Sequence, residues 1–382
     1  MAEWKEREPM MHDSQAFTEW TDPHSGVRSY LLDQRVAPQQ LTFYFVNSGM
    51  SDNGRYLWFY AAFPPSGSQE EGRSLGVFDA DTGATHHFPE TQFSSGSPMV
   101  DPANGDAYWV SGREIWKRPP EPDASAVLIN TIPTDLVRNR RPHRVATHLT
   151  MSADRRFVNM DAQVGREWYL GAVPLDGGPV EVWQRFDRCY NHAQFSPTDP
   201  DLMLVAQDWW HDVVSGERTF YEDRLWTIRR GEQARPLCPD DPSHRRTHEW
   251  WGADGRHVWY VDYDRGTERI DVVTGERENV WPGGTCHSYC DQSGRYLVGD
   301  IGTYSWARTG CRVAFYNTET GREVDIASVG CMPEPEGGRG RYHVDPHPRF
   351  CAEDRYVSYT TTVRGQADVA LVPVEQLVDR TT

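Results

Sequence analysis

A chain of 382 residues with 56 acidic against 39 basic side chains carries a formal net charge of −17, which argues against a nucleic-acid role and against steering of long polyanions. The length suffices for a large core, built as one repeat fold or as two ordinary domains. With 15 Trp, 17 Tyr and 14 Phe at low mean hydropathy, the composition suits an all-β protein rich in turns, and equally a sugar binder that stacks rings on sugar faces.

Residues 1–13 read as a polar tail, and residues 14–382 as a single domain. The opening Met1-Ala-Glu-Trp-Lys-Glu-Arg-Glu lacks the apolar stretch of a signal peptide, and no run is long enough to span a membrane. Seven cysteines at irregular spacing, an odd number without a CxxC pair, fit free thiols in a reducing compartment, so a cytoplasmic location is expected. Asp22 to Gly26 reads as a turn between two strands.

From there the chain repeats itself. A small polar turn followed by an apolar strand begins at Ser51, Asp101, Ser152, Ser196, Gly252, Asp291 and Cys351. These are seven units with a mean period of about 50 residues, near that of propeller blades. A second turn of Asp-x-x-Thr-Gly type follows in several units, as in Asp79–Gly83 and Asp271–Gly275. Four antiparallel strands per unit predict an all-β, seven-bladed β-propeller. Helical patterning is nearly absent outside Pro373–Val378. The last unit has room for about three strands, and the early strand at Val27–Leu32 can supply the fourth and close the ring. Two insertions, 207–223 and 302–310, lengthen the repeat where a binding site is usually built.

Stepping back four residues from each first turn gives Asn47, Ser97, His148, His192, His248, His287 and His347. Five of these seven are histidine in a chain with only 14, so the shared register predicts imidazoles gathered around the channel. His343 and Asp345 join them, because His343, Asp345 and His347 alternate and alternate residues of an extended segment share a face. Pro346 and Pro348 place this segment at the entry to a strand or on an edge. Imidazoles with one carboxylate suit Mn, Fe, Zn or Ni, and imidazole is also the usual base near neutral pH. Arg224, at the end of the first insertion, can grip a carboxylate. A metal, a histidine base and an arginine suit abstraction of a proton beside a carboxylate. There is no Gly-x-Ser-x-Gly elbow of a serine peptidase, no P-loop and no dinucleotide fingerprint.

At Asn191-His-Ala-Gln-Phe-Ser-Pro197, Asp223-Arg-Leu-Trp226, Thr247-His-Glu-Trp-Trp251, Cys286-His-Ser288 with Gly299-Asp300, and Asp345-Pro-His-Pro-Arg-Phe350, the chain resembles the oligogalacturonate lyases, seven-bladed propellers of cytoplasmic pectin breakdown. The resemblance implies that His248 is the catalytic base, that His287 and His347 bind Mn2+, and that Arg224 contacts the substrate carboxylate. It departs in the last segment. Where the family reads Gln-x-x-His-Pro-His, Tyr342 and Asp345 stand at the Gln and first His places, and His343 is an addition.

The expected activity is therefore a metal-dependent β-elimination on a short uronic-acid oligosaccharide, with His248 and Arg224 catalytic and His287, His343, Asp345 and His347 around one divalent ion, Mn2+ first. His148, His192, His211 and Arg224 are expected to face substrate, and His192 and His211 compete with His248 as the base. The alternatives are a non-catalytic propeller that binds a sugar or protein, and a metal-dependent uronate isomerase or epimerase. Linkage, chain length and oligomeric state are left open by the sequence.

Overall fold

The computed structural model describes residues 10–63, 73–93, 98–212, 214–239, 245–263, 265–302, 311–329 and 344–382. Seven antiparallel sheets follow one another around an axis as the blades of a β-propeller, as the turn repeat predicts. The fifth blade shows the pattern, with Arg246–Trp251 innermost, then His257–Asp262, Gly266–Asp271 and Arg277–Pro282 at the rim.

Burial follows position within the blade. The second strand of a blade lies between neighbouring sheets on both faces, so it reads as an uninterrupted apolar run. All seven residues of Tyr56–Ala62 and all eight of Phe157–Val164 are buried. Rim strands see solvent on one side, and Glu181–Phe186 mixes exposed and half-buried positions. Trp58, Trp109, Trp168, Trp250, Trp259 and Trp281 are almost wholly enclosed. Each such ring stabilises by roughly 1.5–3 kcal/mol through apolar burial, so most of the aromatic excess is core.

The turn at Asp22–Gly26 forms as expected. The Asp22 carboxylate accepts from the backbone N–H groups of His24 and Ser25, and Gly26 takes φ +71°. Arg28–Leu32 then pairs with Asp368–Pro373, Tyr30 opposite Leu371 and Leu31 opposite Ala370, and so closes the ring. Phe17–Thr21 adds a fifth strand outside it. A short helix, Val374–Thr381, ends the chain, and its Thr381 carbonyl accepts from Asn317 and Thr320 of the sixth blade. Met11, assigned to a tail by the sequence pattern, is buried, and the neighbouring His12 ring meets the Tyr356 hydroxyl at 2.9 Å. Among the described residues no helix is long and apolar enough to cross a membrane. Six of the seven cysteines are described, and all six are free and buried.

Candidate functional site

Inner strands of three blades break their pairing at a histidine. The register slips between Asn191 and Gln194, between Thr247 and Trp250, and between Thr285 and Ser288. His192, His248 and His347 have φ of 54°, 47° and 44°, the left-handed region, which costs a non-glycine residue about 1 kcal/mol or more. A bulge of this kind re-aims a side chain that the regular pleat would send elsewhere. Here the breaks accompany imidazoles that meet rings from neighbouring blades, His192 with His148 and His248 with His287.

The five histidines predicted from the register do converge. The ring centroids of His248 and His287 lie 4.1 Å apart, those of His287 and His347 4.5 Å, and those of His148 and His192 5.6 Å. Between these groups stands Tyr44, whose ring lies 5.7 Å from His148, 6.3 Å from His192, 6.1 Å from His287 and 5.1 Å from His347. Phe45 adds contacts to His248 and His287. Both come from a tight turn closed by Asn47 N–H to the Tyr44 carbonyl at 2.9 Å. Arg349 holds that turn by donating to the Phe45 carbonyl at 2.8 Å. Neither residue stands out in the sequence, because Asn47 occupies the register position of this blade. Burial, and then the nearby Glu249, raise the Tyr44 pKa well above the usual tyrosine value, so the hydroxyl keeps its proton.

His287 is set by Asp300. The carboxylate accepts from the His287 backbone N–H at 2.7 Å and pairs with Nδ1 at 2.9 Å, leaving Nε2 free to ligate. Gly299 lets the two strands approach there, since a Cβ at that position would lie 2.9 Å from the His287 carbonyl oxygen. One donor atom each from His287, Asp345 and His347 lies within 4.8 Å of the others. Two imidazoles and a carboxylate are a fitting donor set for a divalent transition metal, so these residues fit the ion that the sequence implies. A second group of the same size joins His248, Cys286 and His287. His343 and Ser97 lie outside the described residues. Asp300, part of a quoted sequence motif but given no role there, is the partner that fixes the ligand. Replacing it by Asn should weaken divalent-ion binding about 10- to 100-fold, the usual worth of such a partner, measurable by calorimetric metal titration. Unchanged affinity would remove Asp300 from the site.

His248 presents Nδ1 to the carbonyl oxygen of Cys286. That oxygen can only accept, so Nδ1 carries the proton and Nε2 keeps its lone pair. Burial first, and then His287, push the His248 pKa well below the ordinary histidine value, so the ring is neutral at pH 7.

Arg224 is enclosed rather than open. It donates from Nε to Glu249 at 3.1 Å, approaches Asp208 with Nη1 at 2.7 Å, and places Nη2 2.8 Å from His192 Nδ1. Burial opposes its charge, but Asp208 and Glu249 outweigh that and raise its pKa. Glu249 is itself buried; Arg224 and His192 overcome that burial and hold its carboxyl well below the usual range. His148 is buried behind Tyr44 and His192, and neither of its ring nitrogens meets a hydrogen-bond partner among the described residues. His211 lies apart, exposed on the hairpin of Trp210–His211 and Arg218–Thr219. That hairpin is tied to the third blade by Trp210 against Trp168 at 5.3 Å and by Arg166 to Asp212 at 3.0 Å. A cavity of about 490 Å³, lined by Val46, Tyr289, Arg349 and others, includes none of these histidines.

No protein-family profile matches the chain. It is 26% identical over 224 residues to an oligogalacturonate lyase of Dickeya dadantii, covering 54% of this chain and 55% of that protein. An oligogalacturonide lyase of Pectobacterium atrosepticum is 28% identical over the same share of each. The chain thus spans about half the length of the curated relatives it matches. Among solved structures, an oligogalacturonate lyase in complex with manganese superposes with a TM-score of 0.71 at 19% identity, over 94% of this chain and 96% of that one. An oligogalacturonate lyase from Vibrio parahaemolyticus gives 0.73 at 17% identity over the same shares, and at such identities these two matches speak for the fold alone. The chain is thus similar to the oligogalacturonate lyases, in sequence over about half its length and in propeller fold over nearly all of it.

Proposed function

We propose that the chain is a metal-dependent lyase that cleaves short uronic-acid oligosaccharides by β-elimination and leaves a 4,5-unsaturated uronate. The observation that carries this reading is a neutral His248 whose ring packs 4.1 Å from that of His287, against the donor set of His287, Asp345 and His347. A divalent ion on those three residues supplies positive charge beside the substrate's C6 carboxylate and so makes the C5 proton more acidic. Manganese suits the donor types and is the ion named with one structural relative.

His248 takes the C5 proton on Nε2. The C5–H electron pair becomes the C4=C5 double bond, and the bond from C4 to the glycosidic oxygen breaks. Arg224 adds positive charge to the wall of the site. Of its five N–H donors, Nε and one on Nη2 face Glu249, the other on Nη2 faces His192 and one on Nη1 faces Asp208, so one, on Nη1, remains for a substrate carboxylate. His192 is held on the substrate side by Arg224 and Glu249, with His148 behind it. His343, outside the described residues, is proposed as a fourth ligand from the sequence alone. The substrate is a short uronide, and the six free buried thiols suit a cytoplasmic setting.

The test is growth of the ultraviolet absorbance of the unsaturated uronate when the protein and Mn2+ meet di- and trigalacturonate. A chelator should stop the growth and added Mn2+ should restore it. His287→Ala should lose bound metal and turnover together. A fully metal-loaded protein that yields no unsaturated product from any uronide oligomer would sink the reading.

A further inference from the structure

The elimination leaves one proton unassigned. The departing sugar alkoxide is a poor leaving group, and a positioned acid is worth about 100- to 10,000-fold in rate. Three of the histidines at the site already have a task in this reading. His287 and His347 face one another across the donor set, and His248 keeps its lone pair for the C5 proton. His192 meets Arg224 and Glu249 through Nδ1, which leaves its Nε2 as the competing donor that a Tyr44 variant tells apart. Arg224 is a far weaker acid than any of these and is enclosed by carboxylates. His148 is 1% exposed, behind Tyr44, and cannot reach a substrate. The Tyr263 hydroxyl lies against Cys286 Sγ at 4.0 Å.

Tyr44 differs from all of these. Its ring touches four histidines, two on the side of Arg224 and Glu249 and two of the metal-capable set, so it stands where a sugar held by both halves would lie. Its side chain is half-buried, and its hydroxyl makes no hydrogen bond to any described residue. The turn that carries it is fixed at both ends, by Asn47 to the carbonyl of Pro98 at 2.9 Å and by Arg349 to that of Phe45. A hydroxyl so placed, with its hydrogen uncommitted, is built for an oxygen that arrives with the substrate.

We infer that Tyr44 is a further catalytic residue, the donor of a proton to the departing glycosidic oxygen; this rests on the elimination proposed above. The C4–O4 electron pair stays on O4, which takes the phenolic proton. The phenolate at Tyr44 and the imidazolium at His248 return to their starting states by passing one proton through solvent, so no co-reactant is consumed.

Tyr44→Phe keeps the ring and its four contacts while removing the proton. With Mn2+ and digalacturonate in heavy water, the variant should bind metal as the wild type does and form unsaturated product about 100- to 10,000-fold more slowly. Unreacted substrate should meanwhile gain deuterium at C5, because proton removal continues when the leaving group stalls. An uronide carrying a nitrophenol at C4, which departs without a proton, should narrow the gap between variant and wild type to less than about tenfold. Product formation by the variant within about threefold of wild type overturns the assignment. So does a parallel fall of exchange and elimination with no rescue by nitrophenol, which marks a residue that only shapes the site. Wild-type protein inert toward every uronide removes the elimination reading and this inference with it, whereas an active wild type with an equally active variant removes the inference alone.

Discussion

His248→Ala should keep its divalent ion and lose turnover by about 100- to 10,000-fold. The expectation rests on the Nδ1 contact to the Cys286 carbonyl, which fixes the tautomer and leaves Nε2 as the only basic atom of the ring. No neighbour can replace it. His192 is engaged by Arg224 and Glu249, and His211 is exposed on a hairpin tied to another blade. The backbone needs a control, because φ at this position is 47° and alanine resists that conformation. Asparagine adopts it more readily, so His248→Asn should preserve the bulge while removing the base. Initial rates on digalacturonate, read beside elemental analysis of bound metal, settle the matter. Near-normal turnover in both variants with full metal content would refute the role.

Glu249→Ala should cost about 3–5 kcal/mol of stability, the usual consequence of removing one partner from a buried ion pair. Arg224 and Glu249 expose only 4% and 1% of their side chains, so solvent cannot compensate the orphaned guanidinium. Asp208, at 2.7 Å from Nη1, retains part of the balance, which sets the lower end of that range. Glu249→Gln keeps the shape and loses the charge, and should fall between wild type and alanine. The pH dependence has a definite sign. Although burial works against it, Arg224 holds the folded Glu249 carboxyl below the ordinary glutamate range, so its stabilising share is fully present above that range and is lost on acidification through the lower folded value. Denaturant unfolding of the three proteins at pH 7 is the measurement; an alanine variant within about 1 kcal/mol of wild type would contradict the enclosure of Arg224.

The seven blades were legible because a turn recurs with a fixed chemistry, and the five histidines because they share one offset from it. What periodicity could not supply is local geometry. Alternation puts residues 248 and 249 on opposite faces of a strand, which gives Glu249 no place beside the imidazoles. The break between Thr247 and Trp250 abolishes that alternation, and both side chains reach the site. Asp300 lies on the next strand, where the pairing of Ser288 with Gly299 continues to place it opposite His287, and the repeat does not show which residues two strands bring together. Tyr44 escaped because its blade replaces the histidine-bearing strand by a turn, so the repeat points to Asn47 instead. Arg224 read as an open clamp because the sequence shows the cation but not the two carboxylates that fold around it. His211 lies in the insertion, as read, yet a hairpin can aim its residues outward, and this one does.

The pairing of Arg28–Leu32 with Asp368–Pro373 also governs how the molecule is assembled in time. Within a blade, partners are near neighbours in sequence, and their pairing needs only small loops to close. The joint between the first and last strands is of another order: the Tyr359 hydroxyl reaches Ser29 across 330 positions, and Arg380 donates to the Ser25 carbonyl across 355. Contacts of such sequence separation are slow to form, since the entropy of closing the loop is lost before the contact is made. Blades can therefore stack while the ring is still an open arc with one unpaired strand edge, the form most exposed to pairing with another chain. Only the arrival of the last strands converts that arc into a structure without a free inner seam. The histidines come from blades three to seven and Tyr44 from blade one, so the joint also brings the two sides of the site to their final spacing.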